Sequence, residues 1–562
     1  MPEGSSTHGP ERAGVEDAVT SAPVDRGAEA GEAGEQGGLT ALVAARQEKV
    51  ARLRAAGVDP YPARTRRTHT VADAADAFLR SEERGHAEGP HDVVLAGRLV
   101  GARRLMGGAA FVHLEDASGR TQLHLRRNRM GAEAYGSFVA NFDPGDFVSA
   151  SGTMFRTRMG EVTLAVDELH MLAKSLLPLP EKWHGLRDVE TRFRKRYLDM
   201  LGNPEVRARF AARTRAVAAV RSYLDQRGFL EVETPVLQPM YGGGAAEPFT
   251  TFSHALDRKL YLRIADELYL KRLLVGGFER VYEIAKDFRN EGIDRTHLPE
   301  FTQMECYWAY ADYIDMMALT EDLVAHVALA VNGTTEVSID GRPLDLAPPW
   351  RRITTREAVR RATGIDFTEH PDLEGLRRAM RTAGIEADPQ PTWAKTVDEL
   401  LAEHVEPKLW QPTFLTDYPV ALSPLAKRKP DDPAFVERFE PFAAGFELGN
   451  AFSELNDPQD QRARFEEMAA QRAAGDAEAH PLDEDFLEAL MHGMPPTAGL
   501  GIGIDRLVML VTGQPNIREV VLFPPLRTRP AGATAGPAAG ESAGESAAAS
   551  DAADIAGAQT ER

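Results

Sequence analysis

A chain of 562 residues with 43% hydrophobic and 27% charged side chains has ordinary globular make-up but is too long for one core, so two or three domains are expected. No apolar run approaches the roughly 20 residues that span a bilayer, and the start of the chain carries neither a basic nor an apolar leader, so no membrane partner and a cytoplasmic location are expected. The single cysteine, Cys306, excludes an intramolecular disulfide and a cysteine zinc cage.

The formal net charge of −20 argues against a nucleic-acid partner only as an average. Acids crowd the two ends, whereas Arg98, Arg103, Arg104, Arg126, Arg127, Arg156 and Arg158 cluster in one stretch. That stretch suits phosphate binding as well as it suits a solvated charged face.

Residues 1–38 hold Gly, Ala, Glu and Ser with few large apolar side chains, too little to offset the entropy of ordering, and read as a disordered acidic tail. A helical segment over 39–90 opens with apolar positions at helical spacing from Leu39 to about Ala56, stopped at Gly57. Over 91–175 short alternating runs such as Ala110-Phe111-Val112-His113-Leu114 and Thr121-Gln122-Leu123-His124-Leu125 are separated by Gly-bearing turns. Five such strands fit a small closed barrel of the oligonucleotide-binding (OB) type, whose strand face binds single-stranded bases.

Leu177-Pro178-Leu179-Pro180 and the polar residues after it place a linker over 176–191, because alternating prolines disfavour helix and central strand. A second domain then runs over 192–527. It begins with a helical periodicity from Glu205 to Gln226, closed by Gly228, and a strand Phe229–Thr234 running into Pro235. Residues 528–562 return to Ala, Gly, Ser and acid, a second disordered tail.

The densest chemistry lies between Phe288-Arg289-Asn290-Glu291-Gly292 and Pro299-Glu300-Phe301-Thr302-Gln303-Met304-Glu305-Cys306-Tyr307. Strand alternation puts Arg289 with Glu291 on one face, and Phe301, Gln303, Glu305 and Tyr307 on one face of the returning strand, with Cys306 opposite. Further on, Gly499-Leu500-Gly501-Ile502-Gly503 leaves one side of a strand without bulk. Asp505 then suits a helix start, where its carboxylate would accept orphan N–H groups, beside Arg506. The glycine spacing fails the dinucleotide fingerprint.

The helix and strand over Glu205–Pro235, the segment Phe288–Tyr307 and the segment Gly499–Leu510 resemble motifs 1, 2 and 3 of the class II aminoacyl-tRNA synthetases. The resemblance implies an α+β fold, in which an N-terminal OB barrel precedes a catalytic domain of antiparallel sheet flanked by helices. It also implies that Arg289, Glu291, Phe301 and Arg506 bind ATP, with Arg289 and Arg506 catalytic, and that motif 1 builds a homodimer.

The amino acid to be activated is argued from charge. Beside Glu305 and Tyr307 the chain supplies Asn450-Ala451-Phe452-Ser453-Glu454, whose even positions share a strand face. Two carboxylates, a phenol and a ring suit a long cation such as lysine. An acidic substrate would be repelled by unpaired buried acids.

Glu440 and Glu447 flank Phe442-Ala443-Ala444-Gly445. A tight hairpin would set them nearly opposite each other, where a divalent cation relieves their repulsion. Glu447 is odd while Asn450, Phe452 and Glu454 are even, so one shared site needs an irregular strand, with a bulge at Gly449.

Leu262-Arg263-Ile264-Ala265, Glu267-Leu268-Tyr269-Leu270-Lys271-Arg272 and Val275–Ile284 extend the resemblance to class II lysyl-tRNA synthetases over about residues 40–527. It implies that Gly243 and Glu267 hold the α-amino group of lysine, and that Glu305, Tyr307 and Glu454 hold the ε-amino group, with Asn450 and Phe452 completing the pocket. It further implies that Glu440 and Glu447 carry Mg²⁺, and that Phe111, Gln122 and Glu161, with Arg98, read the anticodon of tRNA(Lys). Glu247, Asp266 and Leu298 depart from that family's usual residues. They leave open a paralogue that charges tRNA for lipid lysylation or lysylates a protein, or a non-catalytic tRNA-binding regulator.

Overall fold

The computed structural model of the chain describes residues 26–179, 186, 188–385, 390–473 and 481–527. The chain divides into two compact units, Met1–Pro180 and Glu181–Arg562. Among the described residues no helix is long and apolar enough to cross a membrane. Residues 1–25, residues 180–185 and 187 of the expected linker, and the expected C-terminal tail lie outside the described residues.

The first unit opens with α1 (Arg26–Ala55), which starts within the segment expected to be a disordered tail, and α2 (Val71–Glu83). The spacing that signals α1 begins only at Leu39, because the Gly- and Ala-rich residues before it carry no apolar stripe. Five strands follow: β1 (Val93–Met106), β2 (Ala109–Glu115), β3 (Arg120–Arg126), β4 (Phe147–Arg156) and β5 (Val162–Ala173), with α3 (Ala132–Asn141) between β3 and β4. They close into the expected barrel in the order β1-β2-β3-β5-β4. Alternate residues such as Leu95, Val112, Leu123 and Val166 fill the interior. The β4–β5 register shifts at Ser151/Gly152. Gly152 is required there, since a Cβ would lie 2.0 Å from the Ala165 carbonyl oxygen.

The second unit is built on one sheet. Its strands are β6 (Leu230–Glu231), β7 (Arg280–Phe288), β8 (Glu300–Ala309), β9 (Arg351–Thr354), β10 (Thr413–Thr416), β11 (Arg438–Ala443), β12 (Phe446–Glu447), β13 (Gly449–Ser453) and β14 (Thr497–Gly503). The order is β9-β10-β11-β13-β14-β8-β7-β6, with β12 paired to β11. The sheet is antiparallel through its centre and parallel only in the outer pairs β6–β7 and β9–β10. The expected strand Phe229–Thr234 contracts to the two residues of β6.

Helices α4 (Pro204–Asp225), α6 (Tyr313–Asn332) and α7 (Ile504–Thr512) cover one face, where Met304, Cys306, Leu500 and Ile502 join their core. Cys306 is a buried filler in that layer, as its parity requires. The shorter α5 (Glu267–Val275) packs on the other face with Val281, Tyr307 and Phe452.

The barrel unit contains one high-stakes ionic cluster. Lys174 Nζ lies 2.5 Å from Asp143 Oδ2 and 2.8 Å from Asp146 Oδ2, with both Lys174 and Asp146 side chains fully buried. Lys174→Met is expected to cost about 3–5 kcal/mol because it leaves the buried Asp146 without a cation, while Asp143 keeps Lys49 at 2.6 Å. Guanidinium unfolding followed by a barrel-unit probe checks it, and a loss below about 1 kcal/mol would contradict it.

Candidate active site

Three neighbouring strands set the geometry. In β8–β14 pairing, Glu305 lies opposite Gly501 and Tyr307 opposite Gly499, and in β14–β13 pairing the same glycines face Asn450 and Phe452. The bare strand therefore forms a floor between two side-chain walls. A Cβ on Gly499 would lie 2.1 Å from Glu454 Oε1 and 2.5 Å from Tyr307 Cε1, so only glycine fits. Above this floor is a cavity of about 360 Å³ whose lining includes Gly243, Glu267, Arg289, Glu291, Phe301, Glu305, Tyr307, Glu440, Glu447, Asn450, Phe452, Glu454 and Arg506. Every residue expected at a catalytic, nucleotide, amino-acid or metal position is thus in one place.

Several expectations about how they arrive there are corrected. Arg289 and Glu291 do not alternate on a strand: β7 ends at Phe288 and a tight turn follows, in which the Glu291 N–H donates to the Arg289 carbonyl at 2.9 Å. The Arg289 guanidinium lies 5.1 Å from the Phe301 ring centroid. Asp505 does not cap α7. Its oxygens accept from Thr302 N–H at 2.7 Å and from Arg213 at 2.5 Å, tying α7 to β8 and α4, while Gly503 occupies the cap position.

Glu440 and Glu447 are not opposite each other, since Glu447 faces Phe442 and Glu440 lies two residues along the same face. The bulge, however, is present. Three steps along β11, from Phe442 to Phe439, correspond to four on its partner, from Glu447 to Ala451, which brings odd Glu447 and even Asn450 to one side.

The walls carry an unusual load of buried acid. Glu305 accepts from the Tyr307 hydroxyl at 3.0 Å and the Gln303 amide at 2.7 Å, and burial with Glu267 and Asp287 nearby pushes its pKa to about 8. Glu454 is likewise pushed to about 8 by burial, with Lys271 opposing the rise and Glu267 adding to it.

Lys271, fully buried on α5, lies 2.5 Å from Glu267 and pairs with Glu454 as well. Burial works against its charge, but the two glutamates hold its pKa above the usual lysine value. Its Nζ is 5.3 Å from the Phe452 ring centroid. A lysine head of the protein's own thus sits beside two acids and a ring.

At the other end, Arg506 donates to the Glu447 carboxylate at 3.1 Å and contacts His297 Nε2 at 2.8 Å. Glu440 accepts from Arg438 at 2.5 Å and Tyr418 at 2.6 Å, and its pKa is raised to about 7 by burial and Glu447. Glu406 nearby rises to about 8 through burial, Glu440 and Glu447. Two oxygen donors repelling at the cavity wall fit a hard divalent cation.

On the barrel, Gln122 donates to Glu161 at 2.7 Å, His113 lies 3.0 Å from the same carboxylate, and Phe111 stacks on His124 with centroids 4.3 Å apart. Arg98 does not join them. Its guanidinium donates to the Gly145 carbonyl at 2.9 Å and lies 4.1 Å from the Phe147 ring centroid. Of the arginine cluster, Arg103 and Arg156 are held by Phe138 O and Glu82, while Arg104, Arg126, Arg127 and Arg158 stay exposed.

The sequence reading missed Lys271, although its i,i+4 spacing from Glu267 was visible. It also missed Arg438, which donates to Asn450 at 2.9 Å and shares a strand face with Glu440.

Comparison with known proteins decides the family. Residues 188–527 match the family model described as tRNA synthetases class II (D, K and N), and residues 93–172 match an OB-fold nucleic acid binding domain. The chain belongs to the class II tRNA synthetases. Among its curated relatives, the Lysine--tRNA ligase of Roseiflexus sp. (strain RS-1) is 57% identical over 87% of this chain and 99% of its own length. That of Chloroflexus aurantiacus is 56% identical over the same shares. That of Pelotomaculum thermopropionicum is 52% identical over 88% of this chain and 97% of its own. The protein is an aminoacyl-tRNA synthetase.

Lys271→Met in this synthetase is expected to destabilise the second unit by about 3–5 kcal/mol near neutral pH, because Glu267 and Glu454 lose their buried cation. Unpaired, those acids take up protons on folding, so the folded variant binds more protons than the unfolded chain and its stability falls as pH rises from about 5 to 8. Urea unfolding of wild type and variant at the two pH values checks this, and a loss independent of pH would contradict it.

Proposed function

We propose that this synthetase joins L-lysine to ATP as lysyl-adenylate and passes the lysyl group to the 3′ end of tRNA(Lys). One observation carries the choice of lysine: at the pocket floor Glu305 and Glu454 are buried and raised to about 8, beside the Tyr307 hydroxyl. A long cation relieves that charge, and a carboxylate-bearing or neutral side chain leaves it unrelieved.

In this reading Gly243 and Glu267 hold the α-amino group. Glu305, Tyr307 and Glu454 hold the ε-amino group, and Asn450 and Phe452 close on the stem. Arg289, Glu291, Phe301 and Arg506 bind ATP. Glu440 and Glu447 would hold Mg²⁺, which when bound offsets triphosphate charge.

The lysine carboxylate oxygen attacks the α-phosphorus of ATP and the bond to pyrophosphate breaks. Arg289 and Arg506 are placed to stabilise the charge that grows on the phosphoryl oxygens. A terminal ribose hydroxyl of tRNA then attacks the adenylate carbonyl, and AMP leaves. Phe111, Gln122 and Glu161 would read the anticodon, with His124 extending the stack under Phe111.

By family resemblance the enzyme works in the cytoplasm as a homodimer through α4 and β6. Glu247 does not alter the amino-acid site in this reading, because it is exposed and, among the described residues, its carbonyl alone is engaged, by Asn290 N–H at 2.8 Å. The paralogue and non-catalytic alternatives are not favoured, since relatives named Lysine--tRNA ligase match 87% of the chain.

ATP–pyrophosphate exchange by the purified full chain with Mg²⁺ and each amino acid in turn tests the reading. Lysine alone is expected to support exchange. Arg506→Ala should lower kcat on the order of 10²-fold or more. Exchange driven by another amino acid, or by none, would overturn it.

A further inference from the structure

Beneath Glu305, outside the cavity lining, sits a group of acids that the reaction as described does not use. Asp266 and Asp287 are both fully buried, and each brings one carboxylate oxygen within 4.8 Å of the other and of Glu305. Asp287 is 3.3 Å from Arg263 Nε, and Arg263 also donates to Glu283 at 2.7 Å. Neither oxygen of Asp266 meets a hydrogen-bond donor among the described residues.

The backbone makes this choice of direction more telling. Asp266 occupies the N-cap position of α5, where a carboxylate gains from accepting helix N–H groups, yet its side chain makes no cap bond; the Tyr269 and Leu270 N–H groups go to its carbonyl instead. An ionised Asp266 would be better served by the helix end than by two other acids.

The charged and titratable groups facing it are Glu267 on its own helix, Glu283 and Asp287 on β7, Glu305 and Tyr307 on β8, and Arg263 ahead of α5. Arg263 is shared by Glu283 and Asp287, Arg289 acts on Asp287 and Lys271 is held by Glu267 and Glu454, so among the described residues no cation pairs directly with Asp266 or Glu305. A carboxyl pair at this spacing relieves itself by sharing a proton, and then titrates as a unit.

We infer that Asp266 is a positioning residue for substrate recognition: in the empty pocket it shares a proton with Glu305, and the arriving ε-ammonium of lysine displaces that proton to solvent. The inference rests on the lysine reading above. It removes one negative charge from the resting pocket and makes lysine uptake an exchange of a proton for an ammonium. Burial and the neighbouring acids raise the pKa of Asp266 well above the usual carboxylate range, in keeping with a retained proton.

Isothermal titration of the full-length protein with lysine, without ATP, in phosphate and in Tris at pH 7 counts the protons released. Wild type is expected to release on the order of one proton per lysine and to bind more tightly as pH rises from 6 to 8, by up to about tenfold per unit. Asp266→Asn keeps a hydrogen-bond donor for Glu305 but has no proton to give, so release should fall to near zero and affinity become flat with pH. The wild-type count stands even if the variant folds poorly.

Lysine binding without proton release in wild type, or equal release in Asp266→Asn, overturns the inference and leaves the substrate reading intact. No binding of lysine at all overturns both. A metal ion found by elemental analysis in the wild-type protein and lost in Asp266→Asn, with Glu440 and Glu447 unchanged, would put a metal ion, not a proton, among the three acids and would also overturn it.

Discussion

Carboxylates removed from water must find counter-charge, and the second unit is arranged around that constraint. Glu267, Glu305 and Glu454 converge on one cavity, with Asp266, Asp287 and Glu283 close by, and all six are buried. The resident cations among them are Lys271, between Glu267 and Glu454, and Arg263, between Glu283 and Asp287. The balance remains acidic, and burial raises the pKa of the acids nearest the floor accordingly. A pocket in that condition favours any ligand that delivers a positive charge to its far end. Specificity then follows as much from what the protein leaves unpaired as from what it touches.

The backbone makes such a load tolerable by rigid presentation. Glu305 and Tyr307 come from the same strand as Cys306, which is locked into the helix-covered core, so the acid cannot turn away without unpicking the sheet. The glycines of β14 hold the two walls apart, and their close approach to Glu454 and Tyr307 leaves no room for a side chain. At the Arg506 end of the cavity, Asp505 binds both Thr302 of β8 and Arg213 of α4. Arg506 next to it therefore enters the cavity from a helix fixed to two other elements. Preorganised charge of this kind costs little rearrangement when a reaction develops new charge.

Much of this was legible in the chain because strand parity is strict. The faces of Phe301, Gln303, Glu305 and Tyr307, the inward turn of Cys306, the glycine floor and the irregularity near Gly449 all follow from counting by two. The barrel likewise follows from alternation interrupted by glycine turns. Parity failed where the strand stops, as at the Arg289–Glu291 turn, and other failures depended on partners distant in sequence.

Asp505 has the local signature of a cap, yet Arg213 and Thr302 outbid the helix end. Arg98 has the right charge and strand, but Gly145 and Phe147 hold it. Glu440 and Glu447 miss direct opposition because hairpin register is set by the turn, which the sequence leaves ambiguous by a residue. Asp266 was visible only as a departure from a family pattern. Its meaning needed Asp287 and Glu305, which come from two other strands.

The most direct test of the charge account compares equilibrium affinities for lysine and for norleucine, which matches the stem but lacks the terminal ammonium. If unpaired acid at the pocket floor selects the substrate, lysine should bind at least about 10³-fold more tightly near pH 7.5, in line with the several kcal/mol at stake for a buried unpaired charge. Affinities within tenfold of each other would show that stem packing dominates, and would contradict the account.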